Sequence, residues 1–187
     1  IKTSNFQPMG TFTVKKAKLK DRSLEVNLDE TINTSGGGSV TNEILKKCNT
    51  LVHDDLLAAF DRLKIHMVKA CDFKKSELIT SESIESLDLS LLSDYHIKGF
   101  SIGGDDESEG VVLIGSREFS SGKVLNIITP FIRYAEEVDP YEFSAELADA
   151  VNAAVYEVEQ YLFEDKYAIK QLEIPFDEEE NQNQEAA

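Results

Sequence analysis

Ser23-Leu24-Glu25-Val26-Asn27-Leu28-Asp29 alternates polar and apolar residues without a break. A period of two puts Leu24, Val26 and Leu28 on one side of an extended chain and Glu25, Asn27 and Asp29 on the other. Such a strand has one buried and one wet face, the habit of antiparallel sheet. Upstream, Thr11 to Lys20 reads as another strand, with Asp21-Arg22 as the turn between the two. Downstream, Ser35-Gly36-Gly37-Gly38-Ser39 is a loop and Val40 to Leu45 a third strand.

Beyond this meander the apolar period changes from 2 to 3.6. Leu56, Phe60, Leu63, Met67 and Ala70 fall on one stripe, which predicts a helix from about His53 to Cys71. Ser76 to Ser93 is rich in Ser and Glu and reads as a short strand followed by a turn of helix. Three more strands are expected at Tyr95 to Ile102, Val111 to Phe119 and Val124 to Phe131. An acidic hairpin loop, Gly103 to Gly110, joins the first two, and Ser120-Ser121-Gly122-Lys123 joins the last two. For the final helix, Asp139 is the expected cap, Pro140 the first helical residue and Glu142 the partner in a capping box. Phe143, Leu147, Val151, Ala154, Val158 and Leu162 mark its buried stripe. The class is therefore α+β: an antiparallel sheet of two three-stranded meanders, each followed by a helix, with helices packed on one face. Residues 1–170 form a single domain in this reading, with a pseudo-repeat over 11–72 and 93–168. Residues 171–187 form a docking peptide and a disordered acidic tail.

With 187 residues, 41% of them apolar, the chain can bury a core without disulfide staples. Cys48 and Cys71 read as free thiols of a reducing compartment, with Cys71 in the core of a helix. No apolar run is long enough to span a bilayer, and Ile1 to Gly10 shows no signal peptide, so a cytoplasmic protein is expected. The composition sets no oligomeric state, and a homo-oligomer stays open. Formal net charge is −16, unevenly spread: residues 1–47 carry eight Lys/Arg against five Asp/Glu, while residues 171–187 hold six acids and no base. The first part is compatible with nucleic-acid contact, the rest with solvation or mimicry of a polyanion.

No catalytic constellation is present. Gly115 to Lys123 is the nearest approach to a phosphate loop, but Arg117 stands where the first Gly belongs, and Val124 replaces the Ser or Thr that would hold magnesium. His53-Asp54-Asp55 reads as a helix start with dipole-complementing acids rather than a metal site. Asp105, Asp106, Glu107 and Glu109 lack the ligand order of a calcium hand. His66 and His96 have no neighbouring ligand pattern, and no Ser or Cys sits in a nucleophile motif. No enzyme activity, metal or cofactor is expected.

Two features point to binding. Lys16, Lys18 and Lys20 alternate along the first strand and should share a face, with Lys15 and Arg22 beside them and Phe12 and Val14 extending that side. A basic stripe with an aromatic on a sheet suits a single-stranded phosphate backbone, although lysines also guard exposed edge strands. The second feature is Gln171-Leu172-Glu173-Ile174-Pro175-Phe176, which supplies an amide, three apolar anchors and a Pro that biases Ile174 toward extended backbone. An acid-rich stretch with almost nothing to bury follows it.

This hexamer resembles the peptide by which bacterial DNA polymerases, mismatch-repair proteins and initiator regulators bind the replication sliding clamp. Gln171, Leu172, Ile174 and Phe176 match that family's Gln, Leu, central aliphatic and terminal anchor, with Ile in place of the usual Leu. Leu51 to Phe60 and Leu162 to Phe176 also resemble small uncharacterised bacteriophage and prophage proteins. The resemblance implies a phage-related accessory protein of DNA replication or repair that docks on a bacterial sliding clamp. A second expectation is a single-stranded DNA-binding protein with a partner-recruiting tail. Ile174-Pro175-Phe176 is similar to the tail tip of bacterial single-strand binders, but it precedes the main acid cluster instead of following it. A third is an acidic DNA mimic that blocks a host DNA-handling or defence protein.

Overall fold

A computed structural model describes residues 10–168, apart from Ser35, Asp106 and Asp139. The fold is α+β. β1 (Thr11–Lys20), β2 (Ser23–Asn33) and β3 (Ser39–Cys48) form one antiparallel meander. β4 (Tyr95–Gly103), β5 (Gly110–Glu118) and β6 (Val124–Ile128) form another. The first strands of the two meanders, β1 and β4, meet antiparallel, giving one sheet in the order β3-β2-β1-β4-β5-β6.

Leu24, Val26 and Leu28 are buried, as their alternation requires. α1 (Asp54–Ala70) and α2 (Ser144–Phe163) cover that face. Phe60 of α1 packs on Phe100 of β4, with ring centroids 5.5 Å apart, and Phe12 of β1 packs on Phe163 of α2 at the same distance. A Cβ on Gly115 of β5 would meet the Met67 sulfur at 2.5 Å, which shows how closely α1 lies on the sheet.

α1 begins where its sequence says it should. His53 is extended and its Nδ1 accepts the Asp55 N–H at 3.2 Å, while Asp54 and Asp55 occupy the positive first turn. At the far end Cys71 caps the helix and is only half-buried. Asp72 turns left-handed at φ 49°, and the Asp72 and Phe73 N–H groups reach back to the Lys69 and Val68 carbonyls. This is the Schellman closure, with Asp in the place glycine usually takes.

Three expectations need correction. The stretch 76–93 contains no strand; it makes two short 3-10 turns, Lys74–Leu78 and Leu89–Leu92. The strand expected over Val124 to Phe131 breaks after Ile128, and a two-residue strand, β7 (Ile132–Arg133), resumes on the same neighbour, β5. Ile128 faces Ile114 but Ile132 faces Val111, so the broken strand carries one extra residue. Pro130 sits in that gap, where it withholds no ladder donor. Buried Thr129 closes it by donating its N–H to the Leu113 carbonyl and accepting the Leu113 N–H on Oγ1. α2 starts at Ser144 rather than at Pro140, with Phe143 at the cap position and no side-chain cap bond. Asp139 lies outside the described residues. Tyr141 and Phe143 are drawn inward, against each other and His66, and Glu142 pairs with Lys69 at 3.3 Å instead of closing a box. Packing of two aromatic rings outweighs a cap worth about 1 kcal/mol. The stripe Phe143, Leu147, Val151, Ala154, Val158 and Leu162 is buried throughout.

Candidate binding face

β1 carries a bulge that decides where its side chains go. Val14 pairs with Leu28, but Lys16 pairs with Asn27, leaving Lys15 as an extra residue. The alternation therefore changes phase, and Val14 and Ala17 are both buried. Phe12 and Val14 face the helices, whereas Lys16, Lys18 and Lys20 stand on the opposite face with Asn27, Glu25 and Ser23 as cross-strand neighbours. The expected union of Phe12 and Val14 with the lysines on one side is thus overturned: Phe12 serves the core against Phe163. Arg22 is also committed elsewhere, donating to Asp54 at 2.6 Å and to the Val52 carbonyl at 3.3 Å.

β4 carries a matching bulge. Ile97 pairs with Gly115 and Gly99 with Ile114, so Lys98 is extra and joins the lysine face. The two strands pair only over Lys16 to Lys18 and Ser101 to Gly99. Past that point they splay, and between them and the first turns of α1 opens a cleft of about 710 Å³. Leu57, Phe60 and Ile97 contribute apolar surface to it; Lys18, Lys20 and Lys98 contribute positive charge, and Asp21 and Asp61 negative charge, Asp61 being paired with Lys64 at 2.7 Å. None of Lys16, Lys18, Lys20 and Lys98 forms an ion pair with a described residue, and Glu25 opposite Lys18 is paired with Lys47 at 3.6 Å. His96 also lines the cleft, close to the lysines that sequence spacing put elsewhere in the chain. Lys98 was invisible to sequence reading; its one signal is Gly99 beside it, a common companion of bulges.

Several other titratable groups are held by contacts within the body. His66 is buried, its Nδ1 lies 3.2 Å from the Tyr141 hydroxyl, and burial, with the charge of Arg62 adding, pulls its pKa down to about 4. Asp94 is partly buried, which pushes its carboxyl up, but hydrogen bonds from Lys75 and Arg117 hold it below the usual range. Burial raises both cysteine thiols, so neither is an activated nucleophile. Asp105 accepts from Ser108 within its own turn. Among the described residues no three of His, Cys, Asp and Glu are grouped to hold a metal ion, and no helix is long and apolar enough to cross a membrane.

Gln171, Leu172, Ile174, Pro175 and Phe176 lie outside the described residues. What precedes them is firmly tied. The Tyr161 hydroxyl donates to the Thr50 carbonyl at 2.6 Å, and Lys166 bridges Asp55 and Glu157 at 2.7 and 2.8 Å. Tyr167 then bridges to Val52, and the Ala168 N–H donates to the Leu51 carbonyl at 2.9 Å. No protein-family model, curated protein or solved structure matches this chain.

Proposed function

We propose that this chain is a non-enzymatic, phage-related accessory protein of DNA replication or repair that docks on a bacterial sliding clamp through Gln171 to Phe176. The observation that carries the reading is the hexamer itself, which begins three residues beyond Ala168, the last described residue, whose N–H is bonded to the Leu51 carbonyl. Leu172, Ile174 and Phe176 gain roughly 1.5–3 kcal/mol each on full burial. Ordering six residues costs about 1–2 kcal/mol apiece, offset in part by new hydrogen bonds and by the stiffness of Pro175. The balance is a contact of about micromolar strength, suited to a reversible tether. Titration of purified bacterial clamp with the intact protein should give saturable binding that Leu172→Ala with Phe176→Ala abolishes. Absence of binding by the intact protein at clamp concentrations well above micromolar rules the reading out.

The lysine face favours a second reading, contact with single-stranded DNA. Four lysines without ion-pair partners among the described residues suit a phosphate backbone, while the packing of Phe12 on the helix side against Phe163 takes the expected aromatic off that face. Oligonucleotide affinity should then fall steeply with salt. Undetectable binding at low salt ends this alternative.

A further inference from the structure

We infer that the cleft at the β1–β4 seam is a docking groove for this chain's own segment Gln171 to Glu180, which holds the clamp-type peptide in cis. The inference deepens the docking reading and rests on it only for what release achieves.

The seam is an unfinished piece of sheet. Pairing stops at Lys18 opposite Gly99, yet β1 continues to Lys20 and β4 begins at Tyr95. Along that stretch neither strand has a partner across the gap among the described residues. Two facing strand edges offer main-chain donors and acceptors to an extended segment, the basis of recognition by strand addition.

The chemistry of the gap matches one segment of this chain. In an extended Gln171 to Asp177, Leu172, Ile174 and Phe176 project to one side and Glu173 and Asp177 to the other, with Glu178, Glu179 and Glu180 following. Leu57, Phe60 and Ile97 are among the apolar residues lining the cleft, and Lys18, Lys20 and Lys98 outnumber Asp21 and Asp61 among its charged ones. Apolar anchors meet apolar floor, and the acids meet lysines that have no ion-pair partner in the described body. Pro175 ends the ladder after Ile174, where the acidic run turns out toward the lysines.

Proximity completes the case. Ala168 is bonded to Leu51, the neighbouring Val52 N–H donates to the Arg22 carbonyl, and Asp21 beside Arg22 lines the cleft. The residues from Ala168 to Phe176 span up to roughly 26 Å when extended. That length is set against a path of only two backbone hydrogen bonds and two peptide steps from Ala168 to Asp21.

Amide NMR of the full chain tests this. Leu172→Asp with Ile174→Asp should shift the amides of Lys18 to Lys20 and His96 to Lys98, leaving those of β3 unchanged as a control for folding. Lys18→Glu with Lys20→Glu, both exposed, and Lys98→Glu, half-buried, should perturb Glu173 and Asp177 to Glu180 in the reciprocal sense. If the segment is held about nine-tenths of the time, the lysine reversal also tightens clamp binding roughly tenfold, because the competent fraction rises toward one. Cleft amides that are identical in the intact protein and the Leu172→Asp, Ile174→Asp variant overturn the proposal. So do cleft amides that respond only to added oligonucleotide or to protein concentration, which would assign the groove to a polyanion or a second copy. Reciprocal shifts without clamp binding keep the groove and refute the clamp reading; clamp binding without reciprocal shifts does the opposite.

Discussion

Gly99 lies against Ala17 so closely that a Cβ on it would meet the Ala17 carbonyl oxygen at 2.4 Å and the Lys18 Cα at 3.1 Å. This contact joins the two meanders. It sits where their only mutual pairing, Lys16 to Lys18 against Ser101 to Gly99, comes to an end. Gly99→Ala forces backbone to part from backbone, and the expected loss is about 2–4 kcal/mol, read as a lower midpoint in urea unfolding. Gly36→Ala is the matched control, because nothing lies within 4 Å of the added Cβ and stability should stay within about 0.5 kcal/mol.

Thr129 repairs the break between β6 and β7 with its side chain, accepting the Leu113 N–H at 2.9 Å in a buried setting. Thr129→Val keeps the shape and removes the acceptor. The orphaned N–H should cost about 1–3 kcal/mol, whereas Thr129→Ser, which keeps the oxygen, should cost less. Faster hydrogen exchange of the Leu113 amide in the Val variant alone would confirm the assignment.

Asp94 receives Lys75 at 2.5 Å and Arg117 at 3.0 Å, and the Arg117 guanidinium lies over the Tyr95 ring. Asp94→Ala leaves two cations facing each other, and because the site is partly exposed the cost should be modest, about 1–2 kcal/mol. With its folded pKa depressed, the carboxylate's contribution is complete above the unfolded value of about 3.9 and fades as pH falls through the lower folded value. The wild type minus Asp94→Ala difference in unfolding free energy should therefore shrink only below about pH 4.

His66 works in the same direction as Asp94 but in a higher pH window. Its folded pKa of about 4 is below the unfolded value of about 6.5, so in that window the unfolded chain takes up a proton that the folded one refuses. Stability should fall as pH drops from about 6.5 to about 4, by up to about 3 kcal/mol, and level off below. His66→Gln should remove this part of the slope, as measured by denaturant unfolding across the pH range. An unchanged slope would contradict a neutral ring buried beside the Tyr141 hydroxyl.

Sequence alone determined the kind and order of the two helices and the six strands of the meanders. Alternation at Leu24, Val26 and Leu28 and the helical stripe from Leu56 to Met67 are local periodicities, and each names its own buried face before any partner is known. The ends of α1 were legible for the same reason, because caps are made by neighbours in the chain. The tertiary structure alone decided the binding face. A bulge exists only relative to the strand it pairs with, so nothing within Thr11 to Lys20 announces that Lys15 is extra and that Phe12 and Lys16 part company. Lys98 reaches those lysines through a second bulge and a seam between strands far apart in sequence. The start of α2 followed the same logic: a start written locally at Pro140 and Glu142 gave way to Ser144, with Tyr141 and Phe143 packed together and Tyr141 against His66 of α1. Local pattern sets which faces must be buried, and long-range pairing sets which residues share the face left in water.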